Sequence, residues 1–138
     1  MKRTDRETAL SPAAPARLPA ALRAAASGIH PLEAGTSLLI DCGCWLHRED
    51  FTGQFVTTAT SISDGTTLLA TIDWEAAITA LDAGKLPCSG GEHRVLRLAA
   101  SIADGIPVSL FDNLPGLDQR NARLLINAIR HTTGQMNQ

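Results

Sequence analysis

The chain has 138 residues and a formal net charge of −2, with 44% hydrophobic and 19% charged residues. This length suits one domain with a core that needs neither disulfides nor metal, and the composition excludes a disordered chain. The near balance of charge excludes a global attraction to nucleic acid or to an anionic membrane.

The two ends of the chain are predicted to be tails around one domain. Residues 1–16 mix charges with Pro12 and Pro15 and lack periodicity, so we expect a flexible N-terminal tail. Residues 17–134 form the predicted compact domain, and 135–138 a short C-terminal tail. No apolar run is long enough for a secretory signal or a membrane span, and the three cysteines are an odd number. We therefore expect a cytoplasmic protein with reduced thiols and no membrane partner.

Two helices are predicted in the first third of the domain. The first begins near Leu18 and stops at Gly28. The second begins with Pro31 in its first turn and continues through the stretch DCGCWLH. Its apolar residues recur at spacings of three and four, which predicts one buried stripe of Leu38, Leu39, Cys42, Trp45 and Leu46.

A short helical turn ending at Gly53 and a β-hairpin are predicted next. The segment FVTTATSISDGTTLLATI is rich in β-branched residues and has Asp64-Gly65 at its middle, a sequence typical of hairpin turns. We predict strands near 55–62 and 67–72. A two-residue loop would place Ile62 opposite Thr67 and Ala59 opposite Ala70.

Three helices are predicted after the hairpin. Asp73 caps one that ends at Gly84, Ser89 and Glu92 form a capping box for one that ends at Gly105, and Asp118 caps one that ends before Gly134. Residues 106–116 are predicted to form an irregular or one-turn connection. The expected fold class is therefore α+β and predominantly α-helical, with about five helices and one hairpin.

The cysteines and histidines raise the question of a metal site. Cys44, His47, Cys88 and His93 are possible zinc ligands, but only Gly43 separates Cys42 from Cys44, whereas zinc clusters normally space their cysteines by two to four residues. In a continuous helix of about 100° per residue the two thiols project to opposite faces. We predict no metal and no cofactor, unless Gly43 breaks the helix.

The start of the second helix after the hairpin suggests two weaker sites. Cys88 precedes the capping Ser89, where a helix N-terminus is able to activate a thiol, with His93 as the nearest base. Free backbone amides of Ser89, Gly90 and Gly91 would bind an anion. We favour the structural alternative for each of these residues, because no Walker or dinucleotide pattern accompanies them.

The arginines give a nucleic-acid alternative. Arg94, Arg97, Arg120 and Arg123 offer phosphate contacts, and the N-terminal tail is basic. The isoelectric point of about 6.0 is well below that of a typical DNA-binding domain, so we expect these arginines to be paired or solvated.

The hairpin provides the leading functional prediction. The sequence has no catalytic triad or metalloprotease motif, which favours a non-catalytic interaction or regulatory module. Two strands alone are marginally stable, so the hairpin must lie on the helices, gain a third strand or pair with another chain. We predict edge or face pairing of residues 55–72 in a homodimer, or addition of a strand to the hairpin by a protein partner. The alternatives are a nucleic-acid-associated regulator and a metal- or thiol-dependent protein using Cys42, Cys44, His47 or Cys88.

Overall fold

Seven α-helices and one antiparallel hairpin make up residues 16–134, which are the residues that the computed structural model describes. The elements, in chain order, are α1 Leu18–Ala26, α2 His30–Cys42, α3 Glu49–Phe55, β1 Val56–Thr60, β2 Leu68–Ile72, α4 Trp74–Asp82, α5 Gly90–Asp104, α6 Leu110–Asn113 and α7 Gln119–Thr132. A 3₁₀ turn, Trp45–His47, follows α2. The predicted fold class is confirmed, and the two helices beyond the expected five are the short α3 and α6.

The predicted tails lie almost entirely outside the described residues. Residues 1–15 and 135–138 are not described, so the tail boundaries stay predictions. Within residues 16–134, every helix is too short or too polar to cross a membrane.

Local sequence signals set most of the helix boundaries. The Asp73 carboxylate accepts the Ala76 amide at 3.0 Å and so caps α4. Ser89 and Glu92 form the predicted capping box of α5, in which each side chain accepts the other residue's backbone amide. Each cap satisfies amides that the first turn of a helix leaves unpaired, which is why α4 and α5 begin where the sequence predicts.

The helix α3 is longer than predicted. We expected it to end or bend at Gly53, but it continues to Phe55. Phe51 and Phe55 are both buried, and their rings lie 5.6 Å apart. The two residues beyond Gly53 therefore bring a second aromatic ring into the core, and this burial outweighs the low helix propensity of glycine.

The register of the hairpin differs from the prediction by one residue. Ala59 lies opposite Leu69, and Ala70 lies opposite Thr58. The strands are also shorter than expected, because residues 61–67 form a long loop in place of a two-residue turn. The predicted pairing of Ala59 with Ala70 is therefore wrong.

Asp64 shapes this long loop. Its carboxylate accepts the backbone amides of Thr66 and Thr67, each at 2.9 Å, and also the Thr67 hydroxyl. The Gly65 amide donates to the Ser61 carbonyl at 2.8 Å, and Gly65 has a positive φ of 69°. Ile62 lies in this loop with its side chain fully exposed, so the predicted pairing of Ile62 with Thr67 is also wrong.

The helix α2 is the centre of the fold. It packs against α5 along one side and against α7 along another, while the hairpin lies on α1 through β2. A Cβ placed on Gly35 would come within 2.5 to 2.8 Å of atoms of Ala99 and Ala103, so glycine lets α2 and α5 approach this closely. The largest fully buried side chains of the core are Trp45, Phe51, Leu39, Leu96 and Val95.

Candidate functional site

An apolar groove of about 510 Å³ runs between α5, α6 and α7. Ser101 is the one polar residue among those that line it. The apolar lining residues are Leu98, Ile102, Val108, Leu110, Leu114, Leu117, Ala122, Leu125, Ile126 and Ile129. An apolar concavity of this size is typical of a binding surface for an apolar partner.

Large apolar side chains stand exposed along the groove. Leu110 is 56% exposed, Ile126 is 55% exposed and Ile129 is 50% exposed. Phe111 follows Leu110 on α6 and is 87% exposed. A solvated Phe or Ile is not unusual by itself, but a contiguous group beside a groove marks an interaction surface.

The helix α7 has a wider apolar surface than its contact with α2 covers. Leu124 and Ala128 lie on the side that faces the core. Ile126 and Ile129 belong to a second apolar stripe, about 150° around the helix axis from the first, that lines the groove. The helix therefore contacts the domain with one stripe and presents the other to solvent.

The single turn α6 is fixed by its own polar residues. The Ser109 hydroxyl accepts the Asp112 amide at 3.1 Å and caps the turn. The buried Asn113 side chain donates to the Ser109 carbonyl at 2.8 Å. These bonds hold the backbone of α6 in place, so Leu110 and Phe111 are presented on a defined turn of helix.

Charged residues lie at both ends of α7. Asp118 caps the helix by accepting the Asn121 amide at 2.7 Å, and Arg120 follows in the first turn. Arg130 lies in the last turn, where His131 pairs with Glu33 of α2, with 2.8 Å between His131 Nε2 and Glu33 Oε1. The start of α7 therefore combines a carboxylate and a cation, while its end is basic.

The cysteine segment differs from its predicted structure. The helix α2 ends at Cys42, because Gly43 adopts a left-handed conformation with φ of 75°. The Sγ atoms of Cys42 and Cys44 lie 2.9 Å apart. The predicted continuous helix through residue 47, with these thiols on opposite faces, is therefore wrong, and the break at Gly43 is the reason.

Residues distant in sequence hold this break in place. Trp45 is buried and donates its Nε1–H to the Glu92 carbonyl of α5 at 3.0 Å. Arg120 of α7 donates to the carbonyls of Asp41 and Cys42, at 2.6 and 3.2 Å. These bonds satisfy carbonyls that the end of α2 leaves unpaired.

The paired thiols differ in acidity. A hydrogen bond from Cys44 lowers the pKa of Cys42 to about 7, with a smaller contribution from the nearby Arg120 cation. The same hydrogen bond and burial raise the pKa of Cys44. Cys42 is therefore the thiol that ionises first, while Cys44 keeps its proton.

The residues predicted as metal ligands do not form one site. Within residues 16–134, no three His, Cys, Asp or Glu side chains are grouped to hold a metal ion. His47 is exposed, and His93 Nε2 accepts a hydrogen bond from Arg97 Nε at 2.7 Å. Burial and the charge of Glu92 raise the pKa of Cys88, which is opposite to the activation that its place before α5 suggested.

The predicted anion site at the start of α5 is already close to a carboxylate. Glu92 accepts the Ser89 amide at 3.0 Å, and the guanidinium of Arg94 packs over Gly90 and Gly116. An anion bound to the amides of Ser89, Gly90 and Gly91 would meet the negative charge of Glu92 and also the positive charge of Arg94, so the anion site stays a prediction.

Two of the four arginines predicted to bind nucleic acid have polar partners within the described residues. Arg97 forms an ion pair with Asp82, and Arg120 donates to carbonyls at the end of α2. Arg94 packs over Gly90 and Gly116, and its buried Nε has no hydrogen-bond partner among the described residues. Arg123 is exposed on α7, and a nucleic-acid role for the four arginines stays a prediction.

The residues of the groove were not predicted as a site. Two signals were available in the sequence. Ile126 and Ile129 extend the apolar pattern of the last helix beyond one face, and the connection predicted at residues 106–116 contains the large apolar Leu110 and Phe111. The chain matches no known family model, no curated protein and no solved structure.

Proposed function

We propose that this protein is a non-catalytic interaction module that self-associates by placing the groove between α5, α6 and α7 against the same groove of a second copy. The observation that carries the proposal is the group of exposed Leu110, Leu114, Ile126 and Ile129 that line the groove. The exposed Phe111 is adjacent to Leu110 in α6. In water these side chains favour burial, and a partner surface supplies it.

A second copy fits because this surface contains both a protrusion and a depression. In a twofold dimer the same patch meets itself, so each protruding group needs a recess on the same surface. Phe111, which is adjacent to the groove-lining Leu110 in α6, is 87% exposed, and the groove of about 510 Å³ has room for an aromatic ring from the partner. These two features support a self-complementary contact.

The exposed area also suits a dimer of ordinary size. Leu110, Phe111, Leu114, Ile126 and Ile129 together expose on the order of 500 Å² of apolar surface, near the upper end of what a monomer shows. A standard interface buries about 800 Å² per partner, somewhat more than half of it apolar. The patch therefore supplies the apolar part of one such interface.

The helix dipoles favour an antiparallel arrangement of the two α7 helices, because opposed dipoles attract each other. An antiparallel pair also brings the capping Asp118 of one copy near Arg130 of the other. A twofold axis generates this arrangement.

The groove replaces the hairpin as the proposed dimer surface. The strand β2 already packs on α1, and Ala70 at its centre is buried. The helix α1 therefore already covers part of the hairpin, which supports the groove as the proposed dimer surface in place of the hairpin.

Sedimentation equilibrium over micromolar to submillimolar concentration tests the proposal. We expect a species of twice the 14.6 kDa chain mass, and Ile126→Glu is expected to weaken dimerisation by at least about tenfold. The matched control is Ile62→Glu, the same change at the fully exposed hairpin loop. Phe111→Glu is a second groove variant whose side chain contributes little to the folded core.

The outcomes separate the possible surfaces. Loss of the dimer in the Ile126 and Phe111 variants, with Ile62→Glu unaffected, supports the groove. Loss in Ile62→Glu alone supports the hairpin and overturns the groove. A wild-type chain that stays monomeric over the whole range overturns self-association altogether. Circular dichroism of each variant shows that a lost dimer is not a lost fold.

A further inference from the structure

The sharp turn at Gly43 brings two thiols together at the surface of the domain. Cys42 is the last residue of α2 and Cys44 precedes the 3₁₀ turn, and both are partly exposed. Their Sγ atoms are 2.9 Å apart, so they must approach by less than about 1 Å to reach the bonded distance of a disulfide. Neither thiol is needed to complete the apolar groove.

The surroundings of the pair are suited to chemistry at one of the two sulfurs. Arg120 binds the Cys42 carbonyl and places a cation close to this thiol. When Cys42 is ionised and Cys44 is protonated, the Cys44 S–H donates a hydrogen bond to the Cys42 thiolate. A thiolate held in this way is the reactive form of cysteine.

We infer that Cys42 and Cys44 form a redox-active dithiol that exchanges with accessible aliphatic disulfides. Cys42 is the attacking sulfur and Cys44 the resolving sulfur. Cys88 takes no part, since its thiol is a separate, partly buried group near Arg48 and Glu92. The substrate class is a disulfide of a small thiol or of a protein.

The exchange is balanced in two steps. The Cys42 thiolate attacks one sulfur of the substrate disulfide, which forms a mixed disulfide and releases the first substrate thiolate. Cys44 then loses its proton to solvent and attacks Cys42 Sγ, which closes the Cys42–Cys44 disulfide and releases the second substrate thiolate. The released thiolates take up protons, so the substrate is reduced to two thiols and the protein is oxidised by two electrons.

The small ring makes the reaction reversible. A disulfide between residues two apart in sequence closes a short, strained loop, and strained disulfides are reduced more readily than relaxed ones. The protein therefore passes its disulfide back to dithiols, as expected of a redox-active pair rather than a structural bond.

The test uses the full-length reduced chain equilibrated with mixtures of reduced and oxidised glutathione. Samples are quenched with acid, alkylated and analysed by intact mass and by peptide mapping. We expect the chain to lose two hydrogen atoms and two alkylable thiols together, with Cys88 still alkylated. Cys88→Ser, the matched control, is expected to behave in the same way.

Single variants identify the role of each sulfur. Cys44→Ser is expected to accumulate a glutathione adduct on Cys42, because the resolving thiol is absent. Cys42→Ser is expected to react at least about tenfold more slowly at neutral pH, because it removes the thiol of lowered pKa, while burial and the charge of Glu92 still raise the pKa of the remaining Cys44. Insulin in place of oxidised glutathione shows whether protein disulfides are also substrates, and reaction with either disulfide supports the proposal.

Several results would overturn the inference. A disulfide that involves Cys88, or one between two chains, would contradict a paired dithiol. The same holds for glutathione adducts on the wild-type chain that persist as long as those on Cys44→Ser. Failure of the full chain to react with either disulfide, at a glutathione ratio that oxidises a control dithiol, would also contradict it.

Discussion

Replacement of Gly35 by alanine is expected to destabilise the fold, although alanine is the better helix former. The new Cβ would lie 2.5 Å from Ala103 Cβ, 2.6 Å from the Ala99 carbonyl oxygen and 2.8 Å from the Ala103 nitrogen. Two of these three atoms belong to the backbone of α5, so they are unable to rotate away. The helices α2 and α5 must move apart instead.

The expected magnitude follows from two opposing effects. Overpacking of a close contact costs about 1–3 kcal/mol, and rigid backbone neighbours place this case at the upper end. The higher helix propensity of alanine offsets about 1 kcal/mol of this cost. We expect a net loss of about 2 kcal/mol in the free energy of unfolding, which corresponds to roughly 8 °C in Tm for a chain of this size.

Urea denaturation followed by tryptophan fluorescence measures this loss. Trp45 and Trp74 are both buried, so their emission reports the opening of the core. Reductant and equal protein concentrations are needed, because thiol oxidation and self-association would change apparent stability. The midpoint should fall while the slope with urea stays unchanged.

Gly53→Ala is the matched control. Gly53 lies inside α3 with no atom within 4 Å of the added Cβ, so the same substitution is expected to stabilise by about 0.5–1 kcal/mol. Opposite signs for the two variants would support the close approach at Gly35. Stabilisation by both would show that α2 and α5 adjust freely, and would refute the reasoning.

Three further changes test local interactions. Hydrogen bonds from His131 and from the Gly28 backbone amide lower the pKa of Glu33 in the folded protein below its ordinary value of 4.5. The stability that Glu33 contributes is therefore complete above pH 4.5 and is lost as the pH falls through the lower, folded pKa. Glu33→Gln should remove this part of the acid dependence in urea titrations. Asp64→Ala should accelerate hydrogen exchange of the Thr67 amide, because it removes the carboxylate that accepts this amide. In the wild-type chain the protection of the Thr67 amide should be lost near pH 2, since the hydrogen bonds that Asp64 accepts lower its pKa to about 2. Ser89→Ala should cost about 1 kcal/mol in thermal denaturation and Ser89→Gly only a few tenths; equal losses would contradict the cap.

The features predicted correctly from the sequence are those that a few neighbouring residues determine. Asp73, Ser89 and Asp118 each bond an amide three residues ahead, so the cap and the helix start are encoded together. The class of the fold follows from these starts and from the β-branched segment between them. Such signals need no knowledge of the tertiary structure.

The end of α2 was predicted wrongly because distant residues decide it. Trp45 and Leu46 keep helical spacing with the residues before them, and that pattern favours a continuous helix. In the structure both are buried after the break at Gly43, with Trp45 bonded to α5 and Arg120 of α7 bonded to the carbonyls of α2. A stripe pattern identifies buried residues, but it does not show which element buries them.

The two proposed sites share α2 as their support, and this determines how they are best tested. The helix carries Cys42 at its end and Gly35 against α5, and it bonds α7 through Arg120. A change inside the α2 contacts would displace α5 and α7, the walls of the groove, together with the thiol pair. Ile126→Glu and Cys44→Ser instead alter side chains that are at least partly exposed, so the contacts of Gly35 stay in place. Ile126→Glu should then lose the dimer and keep dithiol exchange, while Cys44→Ser should lose dithiol exchange and keep the dimer. These two results together would assign each property to its own surface.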